Sequence, residues 1–288
     1  MSAWIAAVLT VLIAAVTVAL TPTQAKAIAT AVPLGTADSF AVLAGSAVTN
    51  TGPSVVNGDL GVSPGSSITG FTGPPNGTVN GVIHQTDAVA AQAQVDLTTA
   101  YDDAAGQPED VDITDVDLGG QSLGPGVYHA DSGIQLTGQL TLDAAGDPNA
   151  VWVFQAESTL ITAPNSSVLL VDGASPCNVF WQVGSSATLD TNTTFVGNIL
   201  ALTQIALNDA ATIQGRALAR NAAVTMINNV ITRPNCAGGT TGGTTTTTGG
   251  TTGETTTTGG TTGETTTTGG TTGETTTTGG TTGETTTT

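Results

Sequence analysis

The sequence of 288 residues is acidic and poor in charge: charged residues make up 9% of it, and 22 acidic against 4 basic residues give a formal net charge of −18. Globular domains carry about a quarter charged residues on average. Nucleic-acid binding needs clustered lysine and arginine to contact phosphates, and an acidic surface repels a polyanion. The composition therefore argues against nucleic acid as a partner, and equally against anionic membrane surfaces.

The N-terminus is typical of an exported protein. An apolar run extends from Ala3 to Leu20, and Ala25-Lys26-Ala27 follows it as a small-x-small cleavage pattern. We expect residues 1–27 to be a signal peptide and the mature protein to be secreted or associated with the cell surface. The alternative is an uncleaved membrane anchor, since the run is long enough to span a bilayer.

The C-terminal segment 238–288 contains only glycine, threonine and glutamate, arranged largely in a ten-residue repeat. Without apolar side chains no core can offset the loss of chain entropy, so we predict a disordered spacer. Such a stalk would place the rest of the protein near a cell wall or surface glycans, which are candidate partners of the tail. Residues 28–237 remain as one folded domain.

One segment of this domain, about 87–104, is predicted to be helical. It lacks glycine and proline, and apolar residues recur at every fourth position from Val89 to Tyr101. Thr86 is the expected N-cap, and Gly106 ends the helix. Elsewhere short β-branched runs alternate with turn residues, which indicates a mainly β domain.

A period of 18 residues between about Trp181 and Asn228 indicates stacked coils. Gly197 and Gly215 are 18 residues apart, and so are Leu189 and Leu207. Eighteen residues divide into three short strands with corners, which is the layout of a three-sided β-solenoid. Alternation along each strand predicts that Leu189 and Leu207 point inward and that their neighbours face solvent.

One side of this solenoid needs a cover. The segments 199–202 and 217–219 are apolar at nearly every position, so both faces of their strands must be buried. The amphipathic helix is the obvious candidate, and we predict that it lies along the solenoid against that side.

Cys177 and Cys236 are the two cysteines of the chain. In an oxidising compartment they are expected to form a disulfide, with a pair of free thiols as the alternative. The bond would hold the last coil of the sequence closed, because the exposed strand edge of a terminal coil invites aggregation.

Six segments of the domain match the motifs of one known family: Leu34–Gly45, Asn57–Gly65, Pro125–Tyr128, Asn178–Ser185, Phe195–Ala201 and Gly215–Ala219. They closely resemble the microbial ice-binding proteins, and the resemblance covers about residues 33–233. It implies a discontinuous right-handed β-solenoid of triangular section with one long helix alongside. It also implies that the N-terminal coil stacks against C-terminal coils and that one flat face adsorbs to ice.

Adsorption to ice requires a regular array of small hydroxyl and methyl groups, and threonine suits it because its β-branch fixes χ1. A looser marker of the family, Thr, then Ala or Gly, any residue, then Thr or Asn, occurs at 69–72 and 162–165. The resemblance and the predicted alternation together give the ice-binding candidates Thr159, Thr162, Asn165, Thr188, Thr191, Thr194, Asn208, Thr212, Thr225, Thr69 and Thr72.

Catalysis and metal binding find little support. His84 and His129 have no second histidine or cysteine at metal spacing, and the acidic run from Asp110 to Asp117 lacks the glycine and terminal glutamate of a calcium loop. The domain has too few basic residues for a lyase or hydrolase site. We therefore expect a monomer that is not an enzyme and needs no metal or cofactor. The alternative to ice binding is a non-catalytic cell-surface adhesin or structural module of the same fold.

Overall fold

The computed structural model describes residues 29–236 and four short strands farther along the chain. The predicted signal peptide, 1–27, and most of the predicted disordered tail, 238–288, lie outside the described residues. The strands of the domain are β1 (Phe40–Ala44), β2 (Ala47–Thr51), β3 (Val55–Asn57), β4 (Asp59–Val62), β5 (Ser67–Thr69), β6 (Thr78–Asn80), β7 (Ile83–Gln85), β8 (Val111–Asp112), β9 (Ser122–Leu123), β10 (Gly126–Ala130), β11 (Ile134–Leu136), β12 (Gln139–Asp143), β13 (Trp152–Ala156), β14 (Leu160–Thr162), β15 (Ser167–Val171), β16 (Val179–Val183), β17 (Ala187–Leu189), β18 (Thr194–Ala201), β19 (Ile205–Leu207), β20 (Thr212–Ala219), β21 (Val224–Ile227) and β22 (Val230–Thr232).

The tail beyond Pro234 is a unit of its own. Its described strands are β23 (Thr247–Thr248), β24 (Thr255–Thr258), β25 (Thr267–Thr268) and β26 (Thr275–Thr278). They pair in parallel, β23 with β25 and β24 with β26. The disorder predicted for the rest of the tail stays a prediction.

All the strands of the domain pair in parallel and form three sides, as predicted for a β-solenoid. The helix side runs in the order β8-β10-β13-β16-β18-β20-β1-β4-β7. The seven-strand side runs β11-β14-β17-β19-β21-β2-β5. The third side runs β9-β12-β15-β18-β20-β22-β3-β6. The two longest strands, β18 and β20, contribute to both the helix side and the third side.

The predicted 18-residue period is the register of β18 on β20. Thr194 pairs with Thr212 and Ala201 with Ala219, so each residue of β18 lies on its equivalent in β20. Both strands pass from the third side to the helix side at a glycine. A Cβ on Gly215 would collide with the carbonyl oxygen of Gly197, so close stacking at this corner requires glycine.

The stacking order differs from the sequence order, as the family resemblance implied. Strand β1 pairs with β20, β2 with β21 and β3 with β22, so the N-terminal coil lies on the last coil of the sequence. The expectation that this last coil has an unpaired edge is therefore wrong, because β1 to β3 cover it.

The helix α1 (Ala88–Ala105) connects the two ends of the stack, since β7 lies at one end of the helix side and β8 at the other. Its 18 residues span about 27 Å. Its N-cap is Asp87, whose side chain accepts a hydrogen bond from the Ala90 amide at 2.8 Å. The predicted N-cap, Thr86, is wrong: its φ is 57°, and its hydroxyl donates instead to the Gly65 carbonyl. Among the described residues no helix is both long and apolar enough to cross a bilayer.

Two apolar clusters form the core. The interior one contains the residues predicted to point inward, with Leu189 and Leu207 essentially inaccessible to solvent. The second lies between α1 and the helix side, where Leu97 of the helix packs with Leu200 and Leu218. This confirms that the helix covers the doubly apolar side.

The helical face differs from the prediction at one position. Val89 is 46% exposed and Ala90 is buried in its place, whereas Ala93, Leu97 and Tyr101 are buried as predicted. Most of the buried residues are alanines, which let the helix approach the strands closely. Both cysteines are disulfide-bonded, which confirms the predicted bond.

Candidate functional site

The seven-strand side presents a central row of outward-facing residues along the stack. Adjacent members are paired in register from strand to strand, so the row follows the solenoid axis. In stacking order the row contains Gln135, Ile161, Thr188, Ala206, Thr225, Thr49 and Thr69.

On five strands, from β17 to β5, the member of this row is no longer than threonine. Neighbouring strands are about 4.8 Å apart, so these side chains repeat at that spacing. The residues beside them in the chain, such as Val48 and Val224, point into the core and are fully buried. The array ends at Ile161, a bulky side chain that is 45% exposed.

Within the described part of the chain, the four threonine hydroxyls of this row form no hydrogen bond with the protein. Within the described residues, Thr188, Thr225, Thr49 and Thr69 make no side-chain hydrogen bond to another group, so their hydroxyls are available to water. Each β-branched side chain holds its hydroxyl and methyl in one orientation. We call Thr188, Ala206, Thr225, Thr49 and Thr69 the threonine row.

A negative charge lies at the edge of the threonine row. Asp190, one residue beyond β17, accepts a hydrogen bond from the Asn208 amide at 2.9 Å and one from the Thr191 backbone at 2.7 Å. These two bonds lower the pKa of Asp190 below its ordinary value of 3.8. The carboxylate is thus held at the corner and stays ionised at neutral pH.

A column of left-handed residues turns the chain from the seven-strand side to the third side. Asn165, Asn192, Ala210 and Asn228 have φ between 53° and 60°, and Gly52 has φ of 79°. Backbone hydrogen bonds connect successive corners, as from the Asn165 amide to the Thr191 carbonyl at 2.9 Å. Asparagine tolerates this conformation better than most residues. The candidate Asn165 is therefore a corner residue and lies off the threonine row.

Buried polar side chains stabilise the same corner from inside. Asn229 is fully buried, and its amide nitrogen donates to the carbonyls of Asn208 at 2.8 Å and Ala211 at 3.0 Å. Thr162 is 1% exposed; its hydroxyl bonds to that of Thr193 at 2.8 Å. The prediction that Thr162 contacts ice is wrong, because its position in β14 points inward.

Thr194 and Thr212 belong to another surface. They form part of an outward row on the third side, so they do not extend the threonine row. The sequence analysis placed Thr194 and Thr212 in one set with Thr188, because the sequence does not show where the corner between the seven-strand side and the third side lies. In stacking order this second row contains Gln139, Ser167, Thr194, Thr212, Val230, Val55 and Thr78.

The remaining candidates lie around the threonine row. Thr159 precedes β14 and Asn208 follows β19, each at an edge of the seven-strand side. Thr191 lies at the corner, and Thr72 lies in the segment after β5, where Asn76 donates to its hydroxyl at 2.8 Å. The structure thus brings only Thr188, Thr225 and Thr69 of the predicted set into the threonine row.

Sequence reasoning missed Thr49, which lies between Thr225 and Thr69 in the row. The 18-residue period does not reach the N-terminal coil, because that coil is far away in the chain. A weaker signal was present in the alternation of Ala47-Val48-Thr49-Asn50-Thr51, which places Ala47, Thr49 and Thr51 on one face.

The two histidines have local partners. His84 contacts the carboxylate of Asp87 at 2.7 Å, and His129 lies between Gln155 and Asp131. Burial lowers the pKa of His129, but its hydrogen bonds to Asp131 and Gln155 raise it more, so the net direction is upward. Across residues 29–236, no three His, Cys, Asp or Glu side chains come together as a metal site.

Aspartates of the acidic run after the helix stabilise turns by accepting hydrogen bonds from backbone amides. Asp112 accepts from the Thr114 amide at 2.8 Å, and Asp117 accepts from the Gly119 amide at the same distance. Such contacts are Asx-turns, in which a carboxylate satisfies a backbone amide two residues on.

The threonine row suits a ligand that itself repeats in space. Its groups are small, neutral and evenly spaced, and they lie on a sheet whose neighbouring strands are fixed by backbone pairing. Recognition of a single small molecule uses a concave pocket with a few convergent polar groups, which differs from an extended row of hydroxyls and methyls. Ordered water at a crystal surface is a ligand of the matching kind.

Comparison with known proteins gives consistent results. The family model described as Ice-binding-like matches residues 42–232. An ice-binding protein of Nostoc sp. (strain HG1) is 58% identical over 210 residues, covering 73% of this chain and 76% of that protein. A crystal structure of an ice binding protein from an Antarctic Biological Consortium is 48% identical, with a TM-score of 0.69, covering 74% of this chain and 95% of that one. The ice-binding protein of Antarctomyces psychrotrophicus is 45% identical, also with a TM-score of 0.69, covering 72% and 100%.

Proposed function

Since this chain belongs to the Ice-binding-like family, we propose that it adsorbs to ice crystals through the threonine row of the seven-strand side. Adsorption would restrict growth of the crystal, which gives antifreeze activity or inhibition of ice recrystallisation. The observation that carries the proposal is the in-register pairing of Thr188, Ala206, Thr225, Thr49 and Thr69 across five parallel strands.

The side chains of the other exposed side favour the seven-strand side as the contact. On the third side Leu169 is 43% exposed, and the longer Gln214 projects from β20. On the seven-strand side the exposed isoleucines lie outside the threonine row, Ile161 beyond its end and Ile227 beside it. Asn57 and Asn80 bond to each other at 2.8 Å. A surface with side chains of unequal length meets a flat crystal plane at fewer points than a row of threonine and alanine does.

We also propose that the protein acts as an exported monomer. Adsorption requires no catalysis and no cofactor, and one domain supplies the whole threonine row, so a monomer suffices. Export as a secreted or cell-surface protein follows from the apolar N-terminal run. The glycine- and threonine-rich tail would then act as a spacer towards cell-wall or surface glycans.

The test is partitioning of the purified protein into a slowly growing ice shell, combined with the shape of a single ice crystal in its solution. The proposal predicts enrichment in the ice fraction and faceted growth. A correctly folded protein that is excluded from ice like a soluble control protein would contradict it. Its function would then be that of an adhesin or structural module at the cell surface.

A further inference from the structure

The threonine row is assembled from two distant parts of the chain. Thr188, Ala206 and Thr225 come from consecutive coils, whereas Thr49 and Thr69 come from the N-terminal coils stacked on them. The two parts meet where β1, β2 and β3 pair with β20, β21 and β22. The alignment of the row therefore depends on the register of this junction.

Hydrophobic pattern alone leaves the register underdetermined. All five residues of β1 are buried, so their burial pattern does not distinguish the native register from a slipped one. In β2, Val48 opposes a slip of one residue, which would turn it outward. A slip of two residues preserves the alternation and would bring Ala47 or Thr51 beside Thr225 in place of Thr49.

A buried arginine lies at this junction. The Arg216 side chain, in β20, is fully buried, while the Asp38 side chain, two residues before β1, is 45% exposed. The Arg216 guanidinium donates to the Asp38 backbone carbonyl from Nε at 3.0 Å and from Nη2 at 2.8 Å, and Nη2 also contacts the Asp38 carboxylate. Nη1 donates to Asn198 at 2.7 Å.

This arrangement is specific to one register. The fork of the guanidinium matches a carbonyl and a carboxylate oxygen of one residue, and a shift of β1 by two residues would move both away. Arg233 adds a weaker contact, with Nη1 at 3.6 Å from the same carboxylate. Burial lowers the pKa of Arg216 to about 10 against the opposing effect of Asp38, so the group is charged at neutral pH. A buried charge without its partner is strongly unfavourable, and in some proteins a buried paired charge fixes register although it adds little net stability.

We propose that Arg216, through Asp38, sets the register of the N-terminal coil on the C-terminal coil and thereby aligns Thr49 with Thr225. Arg216 is a positioning residue for the proposed ice contact, so its effect on ice rests on the proposed function. The register itself does not, and it is measurable without ice.

Two cysteine pairs report the register. Thr51 and Ile227 face outward side by side in the native pairing, so Thr51→Cys with Ile227→Cys is expected to cross-link. Thr49 lies diagonal to Ile227, too far for a disulfide, and Thr49→Cys with Ile227→Cys reports a two-residue slip. Each pair is made in the full chain with Arg216 and with Arg216→Met, and products are identified by peptide mapping.

The matched control is Arg220→Met. Arg220 follows β20, and its side chain packs over the Tyr101 ring at 4.7 Å, near Asp102 of the helix. Its replacement removes an arginine side chain of the same segment that contacts the helix, and leaves the backbone at the junction in place. We expect only the native cross-link with Arg216 and in Arg220→Met, and a mixture of both in Arg216→Met. Without reporter cysteines, Arg216→Met is expected to lose thermal hysteresis several-fold.

Exclusive native cross-linking in folded Arg216→Met, with unchanged thermal hysteresis, would overturn the proposal. If Arg216→Met does not fold, Asp38→Ala gives the answer, because it removes the carboxylate and keeps the backbone acceptor. It is expected to give a smaller share of the slipped product, and a wild-type pattern would again overturn the proposal. A wild-type chain that keeps its register but is excluded from ice contradicts only the proposed function.

Discussion

Thr49 and Thr225 lie directly opposite each other on neighbouring parallel strands, although one belongs to the first coil of the sequence and the other to the last. Their pairing makes a single surface from two chain segments. The contact depends on the discontinuous stacking order.

Thr225→Tyr should abolish most of the ice affinity, because a ring at the middle of the threonine row holds the crystal surface away from Thr188 and Thr49. We expect the loss to exceed about tenfold, or about 1.4 kcal/mol of adsorption free energy. The measurements are thermal hysteresis and ice-shell partitioning, with the circular dichroism spectrum as the check on folding.

The matched control for this variant is Thr212→Tyr, which introduces the same ring on the third side. It should leave ice affinity unchanged. If Thr212→Tyr reduces activity and Thr225→Tyr does not, the contact lies on the third side and the assignment to the seven-strand side is wrong.

Ile161→Thr should increase ice affinity, because it lengthens the threonine row by one strand. Ile161 pairs with Thr188 and is 45% exposed, so the smaller side chain leaves no buried cavity. Leu169→Thr, a comparable change at 43% exposure on the third side, is the control. Equal thermal hysteresis in Ile161→Thr and wild type would show that the contact ends before β14.

Asn229→Ala should destabilise the corner by about 1–3 kcal/mol, the cost of leaving buried backbone groups without partners. Asn229 accepts a hydrogen bond from the Ile227 amide at 2.6 Å and donates to two carbonyls. Urea unfolding measures the change. Asn221→Ala, at an exposed position, should change the free energy of unfolding by less than about 0.5 kcal/mol, and an equally small effect at Asn229 would contradict the prediction.

Acid should weaken the attachment of the N-terminal segment to the helix. The Asp96 carboxylate accepts from the Thr36 amide at 2.7 Å and from its hydroxyl at 2.6 Å. Partial burial raises the pKa of Asp96, but these bonds lower it more, to below 3.8. Because the folded-state pKa is depressed, the stabilisation is complete above the unfolded value and is lost as pH falls through the lowered one.

The difference in melting temperature between wild type and Asp96→Asn tests this. It should be constant from neutral pH to about pH 5 and shrink below about pH 4, because the carboxyl of the unfolded chain then binds a proton before that of the folded protein does. The shrinkage should be complete once the pH is below the lowered folded-state pKa. A difference that does not change with pH would mean that the ionised carboxylate has no advantage over the neutral amide at this position.

The repeat length of the coils and their inward-facing residues could be predicted from the amino-acid sequence alone. Inward residues such as Leu189 and Leu207 recur at 18 residues, and this repeat is local information, because each coil stacks on the next one along the chain. The helix could also be predicted from local sequence, because its apolar positions follow one short period. The doubly apolar segments at 199–202 and 217–219 required a cover, and the helix provides it.

Which outward threonines share a surface is visible only in the folded stack of coils. The corner between the seven-strand side and the third side is set by left-handed residues such as Asn192 and Ala210. The residues around them predict a turn but do not show that the next strand joins a different side of the solenoid. Thr188 and Thr194 therefore look equivalent in the sequence although they face different directions. Thr49 was out of reach for a further reason: its neighbours come from the far end of the chain, and such pairing is established by the packing of whole coils and by contacts such as Arg216 with Asp38.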